Sequence, residues 1–334
     1  MGGRDGSMTL EIQTVDSDAA PVVSIVILTY NRPQALRILL EHLQMSLTGS
    51  SVETVVVDNG SDEITLTMVA QEFPSVRYIR PEENLGIEGR NVGLRACRGR
   101  YVITLDDDVV GIGDEDIALI IGMFEEQPSL GGICFKVVDA ESGGVINWVH
   151  HYAIERFENE VFVTDEITEG AVAFRRAALD KSGLYPGYFF ISHEGPDLAI
   201  RIMNCGYDVV YQPRIVVKHA PATEGRTPWR NYYFDTRNLF WLVVRNYPLW
   251  SGLKVLARGL AAMFVYSVRD GYLRYWAKGV ADGIGGLRRV FAERVVMVPR
   301  TRKIIDDINR NRPSLLYMVR KRLFGRHNPH LTEG

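Results

Sequence analysis

Three cysteines among 334 residues, Cys97, Cys134 and Cys205, lie far apart and form no C-x-x-C spacing. That scarcity excludes a disulfide framework and a thiolate zinc site, and it points to a reducing compartment. No run of 18 or more uncharged apolar residues occurs, so the sequence predicts no membrane-spanning helix. The opening "MGGRDGSM" lacks the apolar core of a secretory signal, and "GS" ahead of Met8 reads as a tag remnant. A G-x-G-x-x-G loop is missing after the first apolar strand, where "LTYNRP" stands, which excludes a dinucleotide dehydrogenase. Internal repeats and low-complexity tracts are missing too.

Apolar residues make up 46% of the chain and charged residues 24%, the balance of an ordinary soluble globular protein. The length suffices for one large α/β domain or two smaller ones. The net charge of −3 hides a split. Up to position 250 there are 21 basic and 35 acidic residues, and beyond it 17 and 6. An acidic body with a basic tail implies an anionic partner for the tail or a tail packed on the body, and both stay open. The tail's basic residues accompany no recognised nucleic-acid-binding motif, so nucleic acid is not an expected partner.

From Val22 onward, strand and helix patterns alternate. "VVSIVILTY" (22–30), "VETVVVD" (52–58), "SVRYIRP" (75–81), "YVITLDDD" (101–108) and "GGICFKVV" (131–138) read as strands, and their β-branched runs fit burial on both faces of a parallel sheet. Helical patterns run between them: "QALRILLEHLQ" opened by Pro33, "EGRNVGLRAC" (88–97) and "DIALIIGMF" (116–124). The order predicts an α/β fold with a Rossmann-like, mostly parallel sheet flanked by helices. Such sheets bind ligands at the carboxyl ends of their strands. Thr29–Arg32, Asp58–Ser61 and Asp106–Asp108 all stand there.

The triplet Asp106, Asp107, Asp108 is the sharpest feature. Two like charges about 4 Å apart repel by about 4 kcal/mol at an effective dielectric near 20, so a core edge carrying three carboxylates needs something to offset them. Carboxylate oxygens are hard ligands suited to Mg²⁺ or Mn²⁺, which take further oxygens from a substrate phosphate. Alternation along an extended strand end would put Asp106 and Asp108 on one side, ready to share a metal–nucleotide complex. "ENLGIEGRNVGL" (83–94) adds Asn84, Gly86, Arg90 and Asn91 around a helix start, where backbone N–H groups and a guanidinium favour phosphate.

In this order the motifs resemble the family-2 glycosyltransferases of GT-A fold. "SIVILTYNRPQAL", "VETVVVDNGSDE", "ENLGIEGRNVGL" and "YVITLDDDV" match the family's donor-side segments, the last its DxD motif. "EGAVAFRRAALDKSGLYP" and "HEGPDLAIRIMNCGYDVVYQPRIVVKH" match its acceptor-side segments. The resemblance implies a metal-dependent, inverting transfer from a nucleoside-diphosphate sugar to a glycan or lipid-linked acceptor, in surface polysaccharide or glycolipid assembly. It implies that Asp58 and the turn Thr29, Tyr30, Asn31, Arg32 hold base and ribose, with Asp106 near the ribose and Asp107 beside it. It further implies that Asp108, with Asp106 and His219, holds the divalent metal. Gly170 would let backbone approach the donor or acceptor. The boundaries that follow are 1–20, a tag remnant and flexible N-terminus; 21–138, the nucleotide-sugar half of the catalytic domain; 139–225, its acceptor-side half; and 226–334, a basic helical C-terminal region. The other readings are a sugar nucleotidyltransferase and a nucleotide-binding but inactive scaffold. The first lacks a glycine-rich triphosphate loop with its basic pair.

A general base must take the proton of the attacking hydroxyl. The family resembled shows Glu-Asp-x-Asp-Leu, with the Asp of the pair as base, where this chain reads "HEGPDL". Gly195 replaces that Asp. Glu194, expected in a loop just ahead of a helix begun by Pro196, is therefore the favoured base, followed by Asp197 and His193. Trp148, His150 and His151 are candidates for an acceptor wall or for core packing. In the tail, "GLKVLARGLAAMFVYSVRDGYLRYWAKG" (252–279) reads as a basic amphipathic helix for an anionic membrane, or equally as a dimer or internal interface. The expected location is cytoplasmic, peripheral at the inner face of the plasma membrane.

Overall fold

The computed structural model describes residues 10–12, 21–49, 51–220 and 228–312. Among them ten strands join one sheet: β1 (Leu10–Ile12), β2 (Val23–Thr29), β3 (Val52–Asp58), β4 (Arg77–Arg80), β5 (Tyr101–Asp106), β6 (Val109–Val110), β7 (Leu130–Asp139), β8 (Phe162–Val163), β9 (Ala171–Arg175) and β10 (Asp208–His219). Their order is β1-β4-β3-β2-β5-β9-β7-β10-β6, with β8 on β10. The run β4-β3-β2-β5 is parallel throughout, as its continuous β-branched sequences predict. β9 enters antiparallel between β5 and β7.

Helices cover both faces. α1 (Pro33–Ser46), α2 (Glu63–Glu72) and α4 (Asp114–Glu126) lie on one side, where Leu36, Leu39, Met68, Ile120 and Phe124 pack on Ile25, Ile27 and Ile103. α3 (Ile87–Ala96), α6 (Arg176–Ser182) and α7 (Glu194–Asn204), with the one-turn α5 (Ile154–Phe157) between them in sequence, precede the tail helices; Leu94, Leu179, Leu198 and Ile202 pack on Val26, Val55 and Phe174. The alternation of Ile25, Val26 and Ile27 between the two cores is the period-2 signature of a sheet buried on both faces.

The tail is helical: α8 (Trp229–Asn246), α9 (Leu249–Arg269), α10 (Leu273–Gly285), α11 (Leu287–Ala292) and α12 (Pro299–Asn311). Leu239, Phe240, Trp241, Ile305 and Ile308 belong to the same core as α3 and α7. The boundary drawn at 225/226 lies outside the described residues, and the elements on its two sides share that core.

Four expectations change. Leu10–Ile12, inside the stretch expected to be flexible, pairs antiparallel with β4. The fourth strand stops at Asp106 and the chain turns through Asp107 and Asp108, so strand alternation does not place Asp106 and Asp108 on one side. The segment 252–279 is not one helix but α9 and α10, broken where Gly271 takes a φ of +79°. Finally, α9 is long and apolar enough to cross a membrane by length and composition alone, a feature that the test of uncharged runs does not register because Lys254 and Arg258 interrupt it.

Candidate active site

The turn after β5 explains the triplet. Instead of continuing outward, the chain re-enters the sheet at its far edge, where Val109 and Val110 pair antiparallel with His219 and Lys218 of β10. That register sets Asp108 beside His219, with Oδ1 and Nε2 3.1 Å apart. Arg32, at the end of the β2–α1 turn, places Nη1 2.8 Å from Asp108 Oδ2 and 3.3 Å from Asp107 Oδ1. The Thr29 hydroxyl donates to Asp107 Oδ2 at 2.7 Å. Asp106 is held from the other side, its Oδ1 2.5 Å from Nη2 of buried Arg90 on α3. Within the protein, two guanidiniums stand against the repulsion that the sequence left unexplained. Burial pushes the Asp107 carboxyl up to about 6, against the opposing charge of Arg32.

A divalent ion fits here only in part. Asp108 oxygen and His219 imidazole are suitable donors. Among the described residues no group of three His, Cys, Asp or Glu has metal-holding geometry. Asp106, expected to share the ion, instead spends its near oxygen on Arg90. The donor set is thus two protein ligands, with the rest left to phosphate and water, as Mg²⁺ and Mn²⁺ tolerate.

The neighbouring clusters are more structural than expected. Asp58 is fully buried, accepting from the Ser61 N–H at 2.8 Å and from the Tyr78 hydroxyl. Asn31, at φ +54°, accepts from the Asp62 N–H at 3.1 Å and donates its own N–H to Ser61 Oγ at 2.8 Å. Asn84 Oδ1 accepts from Asn59 Nδ2 at 3.0 Å and from the Gly86 N–H at 2.9 Å. Gly86 is the N-cap of α3. Asn91 clasps the backbone of Tyr185, donating to its carbonyl at 2.9 Å and accepting from its N–H at 3.0 Å. Tyr30 is 46% exposed, a flat ring at the rim.

α7 starts at Glu194, two residues earlier than Pro196 would have it, with His193 as N-cap at φ +64°. Glu194 is buried, and its Oε2 has no hydrogen-bond partner. Burial, and next the nearby Glu169, hold its carboxyl well above the usual range. Burial lowers the pKa of His193. Asp197 sits apart in a buried cluster with Arg201, Arg245 and Asn246. Two glycines make room for carboxylates. A Cβ on Gly170 would stand 2.2 Å from Asp106 Oδ2, and one on Gly195 would stand 2.4 Å from Glu169 Oε1. Glu169 opens the segment "EGAVAFRRAALDKSGLYP", but no local periodicity or spacing singles it out as a site residue. Of the acceptor-wall candidates, His150 lies buried among Trp148, Phe162 and Tyr211, while His151 meets Asp165, Glu166 and Arg312.

Residues 24–183 match the sequence profile described as Glycosyl transferase family 2. An uncharacterized glycosyltransferase of Haemophilus influenzae is 31% identical over 161 residues, 47% of this chain and 48% of that protein. The succinoglycan biosynthesis protein ExoO of Rhizobium meliloti is 38% identical over 93 residues, 27% of this chain and 26% of the relative. The chain thus spans about half of the first and a quarter of the second. In fold it is similar to GalNAc-T7 solved with UDP, GalNAc and Mn²⁺, at a TM-score of 0.59 and 15% identity, over 81% of this chain and 58% of that one.

Proposed function

From the match of residues 24–183 to the glycosyltransferase family 2 profile, we propose that the chain moves a sugar from a nucleoside-diphosphate donor to the hydroxyl of a glycan or lipid-linked acceptor. Inversion at the transferred carbon and a place in surface polysaccharide or glycolipid assembly are part of the reading. It is supported by one observation above the others: the aspartate triplet, Arg32, Arg90 and His219 converge at the carboxyl ends of β2 and β5 and the end of β10. A diphosphate there would meet two guanidiniums already oriented by carboxylates. Tyr30 stands at the rim for a base or sugar face.

Asp108 and His219 would hold a divalent ion, Mn²⁺ or Mg²⁺, which when bound supplies positive charge at the departing diphosphate. In the fold neighbour UDP and Mn²⁺ are present together. The chain's own part is to orient the diphosphate with Arg32, fix Asp106 through Arg90, and offer carboxyls at the α7 N-terminus for the acceptor proton. The exposed face of α9 and its basic neighbours would rest on the anionic inner face of the plasma membrane.

The test is donor hydrolysis. Incubated with UDP-, dTDP- and GDP-sugars and Mn²⁺, the protein should release nucleoside diphosphate from one of them, and Asp108→Ala should abolish the release. Nucleotide binding with no turnover of any donor would defeat the reading. So would full turnover after exhaustive chelation.

A further inference from the structure

Two carboxylates stand close to the first turn of α7, and their surroundings divide the work between them. Glu194 is buried at 5% exposure, with one oxygen unpartnered. Burial and the neighbouring Glu169 disfavour its ionised form more than its own backbone N–H and Arg90 favour it. Glu169 is only half-buried. It immediately precedes Gly170, whose backbone lies under the Asp106 carboxylate, and its own Oε1 lies over Gly195. The Gly195 N–H, in the first turn of α7, and the Arg90 guanidinium both lie within electrostatic reach and favour its ionised form. Free N–H groups at a helix start favour an anion. The chain therefore sets side by side an enclosed carboxyl at Glu194 and a more open one at Glu169, with one arginine near both.

We propose that Glu169 is the general base of this enzyme, its carboxylate filling the space that glycine at position 195 leaves open. The inference rests on the glycosyl-transfer reading. In the step, the acceptor oxygen forms its bond to the anomeric carbon as the bond from that carbon to the diphosphate oxygen breaks. The electron pair leaves with the diphosphate, and the acceptor's proton passes to Glu169 Oε1. Glu194 acts as a positioning residue, its buried carboxyl keeping the region around Glu169 dry. Glu169 also has the acidity such a role needs, because burial, and then Asp106, bring it up to about 7 against the pull of Arg90 and the Gly195 N–H.

The experiment compares Glu169→Gln, Glu169→Asp and Glu194→Gln with the wild type. Donor hydrolysis is read across pH, binding of UDP, dTDP and GDP by calorimetry, and folding by thermal melting. Glu169→Gln should bind nucleotide and melt as the wild type does, yet lose about 10²–10⁴-fold in turnover, the usual worth of a general base. Glu169→Asp keeps the charge on a shorter arm and should fall about tenfold or more while retaining the acid limb of the wild-type profile. Glu194→Gln should keep that limb too. The proposal is overturned if either Glu169 variant turns over at the wild-type rate, or if Glu194→Gln alone loses the limb. A wild type that binds none of the three nucleotides would instead defeat the glycosyltransferase reading itself.

Discussion

Asp197 shows how one carboxylate in a promising motif serves packing. Its Oδ2 accepts from Arg201 Nε at 2.8 Å, its Oδ1 from Asn246 Nδ2 at 2.7 Å, and Nε of part-buried Arg245 lies 3.3 Å away, with Asp197 itself out of solvent. The cluster joins α7 to α8. Breaking a buried pair on one side leaves uncompensated charge and costs about 3–5 kcal/mol. Asp197→Ala should lose that much in urea unfolding while hydrolysing donor normally per folded molecule; lost turnover at unchanged stability would make it catalytic after all. His150 carries a different signal. Its Nδ1 lies 2.8 Å from the Thr164 hydroxyl, and burial pushes its pKa down to about 3. An unfolded histidine protonates near pH 6.5. The depressed native value means this stability is whole above about 6.5 and is lost as pH falls toward about 3, at up to about 1.4 kcal/mol per pH unit. Urea unfolding across that window should show a steeper slope for the wild type than for His150→Asn, by about one proton.

At the scale of elements, the loop feeding α7 depends on a helix outside the matched segment. Phe190, Ser192 and His193 all hold positive φ, at 67°, 77° and 64°. Such conformations cost on the order of 1–3 kcal/mol each and persist only where neighbours over-determine them. Here Asn238 of α8 does so, donating Nδ2 to the carbonyls of Phe189, Ile191 and Ser192 at 3.0, 2.7 and 2.8 Å. Asn238→Ala should reduce stability by about 1–3 kcal/mol. It should also slow donor hydrolysis while leaving nucleoside-diphosphate affinity by calorimetry intact, because Arg32 and Arg90 are untouched. The contrast with β2 and α1 shows what a sequence can disclose. Their apolar periods are local, so strand, helix and buried face were readable, and Leu36, Leu39, Leu40 and Leu43 are all buried as the spacing implies. The Asp108–His219 pair depends on a two-residue strand meeting a partner more than a hundred positions away. Asn238 reads as one polar residue among aromatics, and Glu169 gains meaning only once Gly195 is seen to yield it space. These are consequences of long-range packing, invisible to periodicity.

At the scale of the whole molecule, the basic tail presents one helix face that the core does not cover. α9 packs on α8 and α10, yet only 11% of its most apolar window is buried. Trp250 is 77% exposed, and Phe264, Val265 and Val268 share its outward side with Lys254 and Arg258. On the proposed membrane reading, two cations on the apolar face would hold the helix at the headgroups, where long side chains reach phosphate while rings and aliphatics enter the acyl boundary. Arg274 of α10 adds a further cation, whereas Arg269 and Lys278 are paired with Asp270 and Asp282. Each unpaired cation near an anionic surface would be worth about 1 kcal/mol. The full chain should therefore sediment with phosphatidylglycerol vesicles, remain in solution with phosphatidylcholine vesicles, and be released by salt, because the attraction is screened within a Debye length. Lys254→Glu with Arg258→Glu should abolish sedimentation without altering donor hydrolysis, since neither residue touches the site. A chain that ignores anionic vesicles, and sediments in the ultracentrifuge as a dimer that Trp250→Glu splits, would assign this face to a second copy instead.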